Sequence, residues 1–410
     1  VTTSAAGDSL LLQPNALLAP NTQYTFAVSS GVKDTTGASM VPFSMSFTTG
    51  TGATTADPTL QFQQVGLPSA TGAQFTDVKV GPDHLLYAST EDGRIFRWSI
   101  NADGTLATPQ IITSLQAAEG GQQRLITGFD FDPRSSAASP TLWVSNGWFG
   151  TLNAPDWTGK ITVMSGPDLQ TVQDAVVNLP RSFRDHLTEQ PSFGPDGVLY
   201  FGQASNSSYG APDDIWGNRP EHMLNAAILR LDVTKITPGQ PLNAMTTDAG
   251  GPYNPFAPGA PLTIYASGVR NAFDLVWTHD GVLYAPNNGS SPPGNAPGSP
   301  DGTVPAINGV TTYEEDYLYK IVPGGYYGHP NPTIGHYVLD GGNPASGGGS
   351  DLIPQYPLGT NPDPAYQGYV FDFGPHPSPN GIIEYQDHTF GGKLQDALLV
   401  TEYGQGNDII

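Results

Sequence analysis

The amino-acid sequence predicts an all-β protein whose larger part is a β-propeller. The 410-residue chain contains 50 glycines and 39 prolines, and only 13% of its residues are charged. Its hydrophobic residues, 38% of the total, fall in short runs, which is typical of a turn-rich globular protein rather than a disordered one. Because the length exceeds that of one ordinary hydrophobic core, we expect two structural units.

Five units of strand, tight turn, strand, turn and strand follow one another after residue 60. They lie at residues 75–98, 128–163, 192–231, 273–321 and from 381 onwards. Repeated antiparallel units of this size indicate a propeller. The short runs with a period of two, and the scarcity of helix formers, exclude a helical solenoid. A sandwich of many strands is the structural alternative.

The first 50 residues predict a different unit. Leu10–Leu12, Tyr24–Val28 and Phe43–Thr49 are strand candidates, and the last two alternate so that Tyr24, Phe26, Val28, Phe43, Met45 and Phe47 are expected to point inward. Three strands cannot form a two-sheet sandwich, so the chain is expected to open inside a domain. Residues 51–59 have the composition of a flexible linker.

The segments Leu18–Phe26, Gly31–Asp34 and Phe47–Gly50 resemble the C-terminal half of a bacterial Ig-like domain. This resemblance implies a partial Ig-like β-sandwich over residues 1–50. The propeller would then occupy residues 60–410, with Leu60–Val65 supplying an outer strand to its last blade.

The net charge of −22 argues against nucleic acid and anionic membrane surfaces as partners, since both would repel the protein. The absence of cysteine excludes disulfides and thiolate metal sites. No apolar run reaches about 18 residues, so no transmembrane helix is predicted. Little lysine and much glycine, proline and serine favour an exported bacterial protein, extracellular or periplasmic.

A candidate general base lies just before the first strand of the third unit. His186 follows Asp185 in a short irregular segment, and a loop histidine beside a rigid sheet can exchange a proton near neutral pH. A solvated surface histidine is the alternative. His329, His336 and His376 show no metal-binding spacing and are interpreted as loop histidines.

An ordered set of motifs resembles the soluble glucose and sorbosone dehydrogenase family. The motifs are Gln123–Pro133, Asp185–His186, Gly268–Leu275, Asn287–Ser290 and Gly324–Pro330. The resemblance covers roughly residues 60–410. It implies a six-bladed propeller that uses pyrroloquinoline quinone (PQQ) and calcium. Since only five units are visible, the last blade is expected to be missing or incomplete.

The resemblance also assigns roles. His186 would take the proton of a sugar hydroxyl, Asp185 would contact the substrate or cofactor edge, and Gln123 would lie at the cofactor's rim. A cation and an amide stabilise the oxyanions of a reduced quinone, a role that falls to Arg270 and Asn271. Main-chain oxygens of Gly289 and Ser290 would hold calcium, a hard cation that prefers oxygen. From the residues alone, Arg270 could instead pair with a carboxylate, and Asn287–Gly289 could be only a turn.

Two departures from the family pattern concern the base and the cofactor. Ser205 stands where the family has an acidic residue that orients the histidine, and Gly404–Gly406 stands where several members carry cations. We expect a quinone-dependent dehydrogenase that acts on a sugar or related alcohol and passes electrons to an external acceptor. The alternatives are a propeller that only binds carbohydrate or protein, and a calcium-dependent hydrolase of the lactonase type.

Overall fold

The computed structural model describes residues 2–3, 10–11, 18–19, 21–33, 37–49, 60, 65–237, 239–345, 351–404 and 408–410. These residues are built from strands, which confirms the all-β prediction. Their one α-helix is α1 (Ser114–Ala118), and the three-residue 3₁₀ helices span Pro68–Ala70, Asp214–Trp216, Val233–Lys235, Thr247–Ala249 and Pro332–Ile334. No helix in this part of the chain combines the length and apolar character needed to cross a membrane.

The N-terminal segment contains two small antiparallel pairs. One joins β1 (Thr2–Thr3) to β2 (Leu10–Leu11), and the other joins β3 (Gln23–Val28) to β4 (Phe43–Thr48). Burial alternates along β3 as predicted, but every residue of β4 is exposed. The expected inward packing of Phe43, Met45 and Phe47 is therefore not seen, although Phe47 still stacks on Tyr24 with ring centroids 6.0 Å apart.

Four sheets follow with the strand order of propeller blades, and their main strands are antiparallel. The first blade contains β5 (Phe75–Val80), β6 (Leu86–Thr90), β7 (Ile95–Trp98) and β8 (Gln110–Ile112). The second contains β9 (Arg124–Phe131), β10 (Thr141–Trp148), β11 (Gly159–Ser165) and β12 (Thr171–Leu179). The third unit contributes β13 (Thr188–Phe193), β14 (Leu199–Gln203), β15 (Ala227–Leu231), β16 (Leu242–Asn243), which pairs in parallel with β12, and β17 (Leu262–Ser267).

The fourth blade contains β18 (Val276–Trp277), β19 (Leu283–Asn287), β22 (Asp316–Ile321) and β23 (Phe371–Gly374), with β20 (Gly294–Ala296) and β21 (Ile307–Val310) as an inserted hairpin. A fifth sheet has only two strands, β24 (Pro379–Tyr385) and β25 (Ala397–Glu402). The predicted propeller is therefore confirmed, with four blades and a two-stranded sheet in the described residues. The expectation of six blades is not confirmed. The strand expected over residues 60–65 lies mostly outside these residues.

Two turns explain why the repeat is visible in the sequence. Asp83 accepts a hydrogen bond of 2.7 Å from Tyr87 Oη, and Asp196 accepts one of 3.0 Å from Tyr200 Oη. Each aspartate lies in a Gly-Pro-Asp turn, and each tyrosine lies in the next strand. The side chain thus fixes the turn to the strand that the turn reverses.

The blades are joined by apolar contacts and by aspartate side chains. Separate hydrophobic clusters lie between neighbouring blades, for example around Phe129, Tyr87 and Ile126 between the first and second. In three cases an aspartate Oδ2 accepts a backbone N–H from the following unit: Asp77 from Phe129, Asp130 from Phe193, and Asp274 from Ile382. Because each bond satisfies a backbone donor that would otherwise be lost inside the ring, it fixes the spacing of adjacent inner strands.

Candidate functional site

A cavity of about 650 Å³ lies where strand connections from several blades meet. Its wall includes parts of the segments 184–186, 208–216, 270–273, 288–292 and 376–380, and Tyr403. These segments leave the second or fourth strand of a blade, and in an up-and-down sheet such connections emerge on the same face. The fold therefore brings together residues as far apart in the sequence as Arg184 and Tyr403.

Five of the seven predicted site residues line this cavity: Asp185, His186, Arg270, Asn271 and Gly289. The other two do not. Gln123 is exposed in the segment before β9 and lies outside the wall of the cavity. Ser290 is next to the wall but fully buried. The structure thus places the predicted base beside the predicted anion-binding pair, while the roles of these residues remain predictions.

His186 is held as a neutral imidazole. It is 4% exposed, and its Nδ1 lies 2.9 Å from the carbonyl oxygen and 3.1 Å from Oγ of Ser205. Since a carbonyl can only accept, Nδ1 carries the hydrogen, and Nε2 has no partner among the described residues. Burial, followed by the guanidinium of Arg270, holds the pKa of His186 well below its ordinary value. The ring is therefore unprotonated at neutral pH, with Nε2 able to accept a proton.

Arg181 fixes the segment that carries His186. Its guanidinium is fully buried and donates to the carbonyl oxygens of Ser182, Arg184, His186 and Gly150. Burial lowers the pKa of Arg181 to about 10, so the group keeps its charge at neutral pH. An irregular segment cannot satisfy its own carbonyls as a strand does, and this one cation satisfies them instead.

Trp216 forms one wall of the cavity and was not identified from the sequence. Its ring lies 4.2 Å from the His186 ring, and the guanidinium carbons of Arg184 and Arg270 lie 5.7 and 5.6 Å from its centroid. Both distances are within the range of a cation–π interaction. Asp213 caps the 3₁₀ helix by accepting from Trp216 N. The sequence signal was this capping aspartate followed by a lone tryptophan in a long insertion.

Arg270 and Asn271 complete that side of the cavity. Arg270 is 7% exposed and donates to the carbonyl oxygens of Ser208, Asn288 and Gly289 at 3.3, 3.2 and 2.9 Å. It is therefore anchored by backbone rather than by a paired carboxylate, the alternative considered for it. The carboxamide oxygen of Asn271 is buried and has no partner in the described part of the chain.

The side chains around the cavity decide whether a quinone and a calcium ion fit there. Two cations around an indole suit a planar anionic quinone, whereas the unpartnered oxygen of Asn271 can only accept a hydrogen bond. The two carbonyls assigned to calcium do not suit a cation. Gly289 O accepts from Arg270, while Ser290 O accepts from Tyr209 Oη at 3.2 Å and from Glu314 N at 3.0 Å. A divalent ion there would lie against a guanidinium.

Residues 1–49 match the family model described as a bacterial Ig-like domain. No curated protein matches the chain. Among solved structures, the holo form of the PQQ domain of pyranose dehydrogenase from Coprinopsis cinerea matches with a TM-score of 0.51 and 13% identity, over 82% of this chain and 72% of that one.

A PQQ-bound aldose sugar dehydrogenase from Streptomyces coelicolor matches at 18% identity and a TM-score of 0.46, over 82% and 76% of the two chains. A calcium structure of a Trichoderma reesei enzyme of family AA12 matches at 13% identity and a TM-score of 0.46, over 82% and 79%. Identities this low establish the fold alone. The chain thus joins a segment that matches the bacterial Ig-like domain to a β-propeller similar in fold to the PQQ domain of pyranose dehydrogenase.

Proposed function

We propose that this protein oxidises a sugar or related alcohol, with PQQ bound in the cavity beside His186. The observation that carries the proposal is the neutral His186, whose Nε2 has no partner among the described residues, next to two guanidinium groups on one indole. A module that only binds carbohydrate needs neither a buried base nor a pair of cations at the same place. The shared fold with a PQQ domain supports the same choice.

In the proposed mechanism, Arg184, Arg270, Trp216 and Asn271 would hold the quinone. The quinone would supply the acceptor for the two electrons that leave the substrate carbon. His186 Nε2 takes the hydroxyl proton of the substrate, and its Nδ1–H remains on the Ser205 carbonyl, so the ring keeps its orientation as it becomes charged. Asp185, which is exposed at the rim, would bind substrate hydroxyls. Because Gly289 and Ser290 do not form a calcium site as arranged, we derive no step through that ion.

We further propose that the substrate is an aldose or similar polyol, that an external acceptor reoxidises the quinone, and that the protein works outside the cytoplasm. The segment matching an Ig-like domain, a module often placed before catalytic or adhesive domains of secreted proteins, supports that location. The net charge of −22 favours uncharged substrates over anionic ones in the approach to the cavity.

The test is to titrate the purified protein with PQQ, with and without calcium, and to assay dye reduction with a panel of aldoses. We expect saturable binding and sugar-dependent reduction. Arg184→Gln should weaken quinone binding by about 3- to 10-fold, because it removes one cation from the indole wall. Arg134→Gln is the matched control, since Arg134 pairs with Asp132 outside this cavity. If PQQ does not bind, the proposal fails and the binding-module alternative takes its place.

A further inference from the structure

A second set of groups with catalytic geometry lies in the same cavity, and none of it belongs to the site proposed above. Ser291 Oγ is 3.0 Å from His376 Nε2, and His376 Nδ1 is 3.3 Å from Asp316 Oδ1. The order hydroxyl, imidazole, carboxylate is that of a nucleophile with its base and the group that orients the base. The three residues come from three separate segments of the chain.

Solvent exposure falls from the serine to the aspartate, so the nucleophile is accessible and the carboxylate is enclosed. Ser291 is exposed, and the His376 side chain is 27% exposed, whereas that of Asp316 is 1% exposed. The carboxylate is also fixed by two backbone donors, Gly289 N to Oδ1 and Ser378 N to Oδ2, each at 2.8 Å. A rigid acceptor below the ring keeps Nδ1 protonated and leaves Nε2 to receive the hydroxyl proton.

The backbone of His376 provides an independent sign of constraint. Its φ is +54°, in the left-handed region that residues other than glycine rarely adopt. Strained conformations of this kind persist where the surroundings impose them, often at functional sites. Asn380, on the same wall, accepts from Asn288 Nδ2 at 3.2 Å and has no partner for its own Nδ2 among the described residues. That amide is available to donate to a developing oxyanion.

We propose that Ser291, His376 and Asp316 hydrolyse esters or lactones in this cavity. Ser291 Oγ bonds to the carbonyl carbon while its proton passes to His376 Nε2. The C–O bond to the leaving oxygen then breaks, and His376 returns the proton to that oxygen. Water then bonds to the acyl carbon as His376 Nε2 takes one of its protons, the bond from that carbon to Ser291 Oγ breaks, and His376 returns the proton to Oγ, so that ester and water give acid and alcohol. Ser291 and His376 are the catalytic residues, and Asp316 is a positioning residue.

This activity requires no metal, unlike the calcium-dependent hydrolase considered from the sequence. It is also independent of the proposed oxidation, although the two are chemically compatible. Oxidation of a cyclic hemiacetal at its anomeric carbon yields a lactone, and opening that lactone is the reaction that would consume it. One cavity could therefore perform both steps on one sugar.

The test uses the full chain without quinone, calcium or electron acceptor, with p-nitrophenyl acetate and an aldono-δ-lactone as substrates. We expect hydrolysis above the buffer rate, reduced at least about 100-fold by Ser291→Ala and by His376→Ala. Asp316→Asn should lower kcat by about 10-fold or more and leave KM unchanged, which a general loss of packing would not do. Ser299→Ala, at a half-buried turn residue outside the cavity, should leave the rate unchanged.

Covalent labelling gives a second readout that does not depend on turnover. A fluorophosphonate probe should modify the wild-type protein at Ser291, identified by fragmentation of the labelled peptide, and should not modify Ser291→Ala. If the wild type neither hydrolyses the two substrates nor takes up the probe, or if Ser291→Ala keeps either property, the proposal is wrong. Because no quinone is present, such a result leaves the proposed oxidation standing.

Discussion

His222 joins segments that support the loop carrying His186, and its protonation should make the stability of the protein depend on pH. Its Nδ1 lies 2.9 Å from Asp248 Oδ2 and its Nε2 lies 3.0 Å from Asp156 Oδ2. Asp156 also accepts from the backbone N–H of Arg181, which holds the His186 segment. Burial alone would lower the pKa of His222, but hydrogen bonds to the two carboxylates outweigh it and raise the pKa to about 9.

The size and sign of the effect follow from this pKa. Raising the pKa of His222 from 6.5 to about 9 corresponds to about 3 kcal/mol of additional stability when the imidazole is protonated. This figure is the stabilisation from His222 and its two carboxylate partners together. Because the folded state binds this proton more tightly than the unfolded state, the stabilisation is complete below pH 6.5. It is lost as the pH rises through about 9.

The comparison is between the wild type and His222→Gln, unfolded by denaturant at several pH values from 6 to 10. The difference in the free energy of unfolding should be larger at pH 6 than at pH 10 by about 3 kcal/mol. His388→Gln, at an exposed loop position, is the matched histidine-to-glutamine control. Parallel profiles for the wild type and His222→Gln would refute the assignment of a charged His222 between the two carboxylates.

Three further predictions concern residues that line the cavity or support His186 beside it. Ser205→Ala should change turnover by less than about 5-fold, because the Ser205 carbonyl remains to orient His186 Nδ1, and steady-state kinetics on an aldose will measure this. Arg181→Met should lower both the melting temperature and kcat, since it leaves buried carbonyls without donors, whereas an unchanged melting temperature would contradict that role. Trp216→Leu should weaken PQQ binding about 10-fold or more in a fluorescence titration, and equal affinity would show that the indole is not part of the quinone site.

Local patterns in the sequence predicted the propeller because each unit carries its own turn chemistry. Asp83 and Asp196 lie in turns that their own side chains stabilise. The repeated strand-turn-strand unit can therefore be recognised in the sequence without knowledge of the neighbouring blades. The exposure of both faces of β4 was not predictable in the same way. Alternation shows which residues share a face, but whether that face is covered depends on what packs against it.

The grouping of candidate site residues was predictable for those that lie in the connections between consecutive strands. His186, Arg270 and Asn271 lie in connections that emerge on one face, and a family resemblance marks them. Trp216 comes from a long insertion, whose path over the cavity no periodicity specifies. His376 gave no signal because its partners Ser291 and Asp316 lie 85 and 60 positions away, and only the packing of the fourth and fifth units brings them within bonding distance.

The most direct test of the proposed oxidation is a single-turnover measurement on protein loaded with PQQ. An aldose is mixed in without an electron acceptor, and reduction of the quinone is followed by its absorbance. The wild type should reduce the quinone, and His186→Gln should bind it with similar affinity but reduce it about 10² to 10⁴ times more slowly, the usual contribution of a general base. Equal reduction rates in the two proteins would contradict the assignment of His186 as the base.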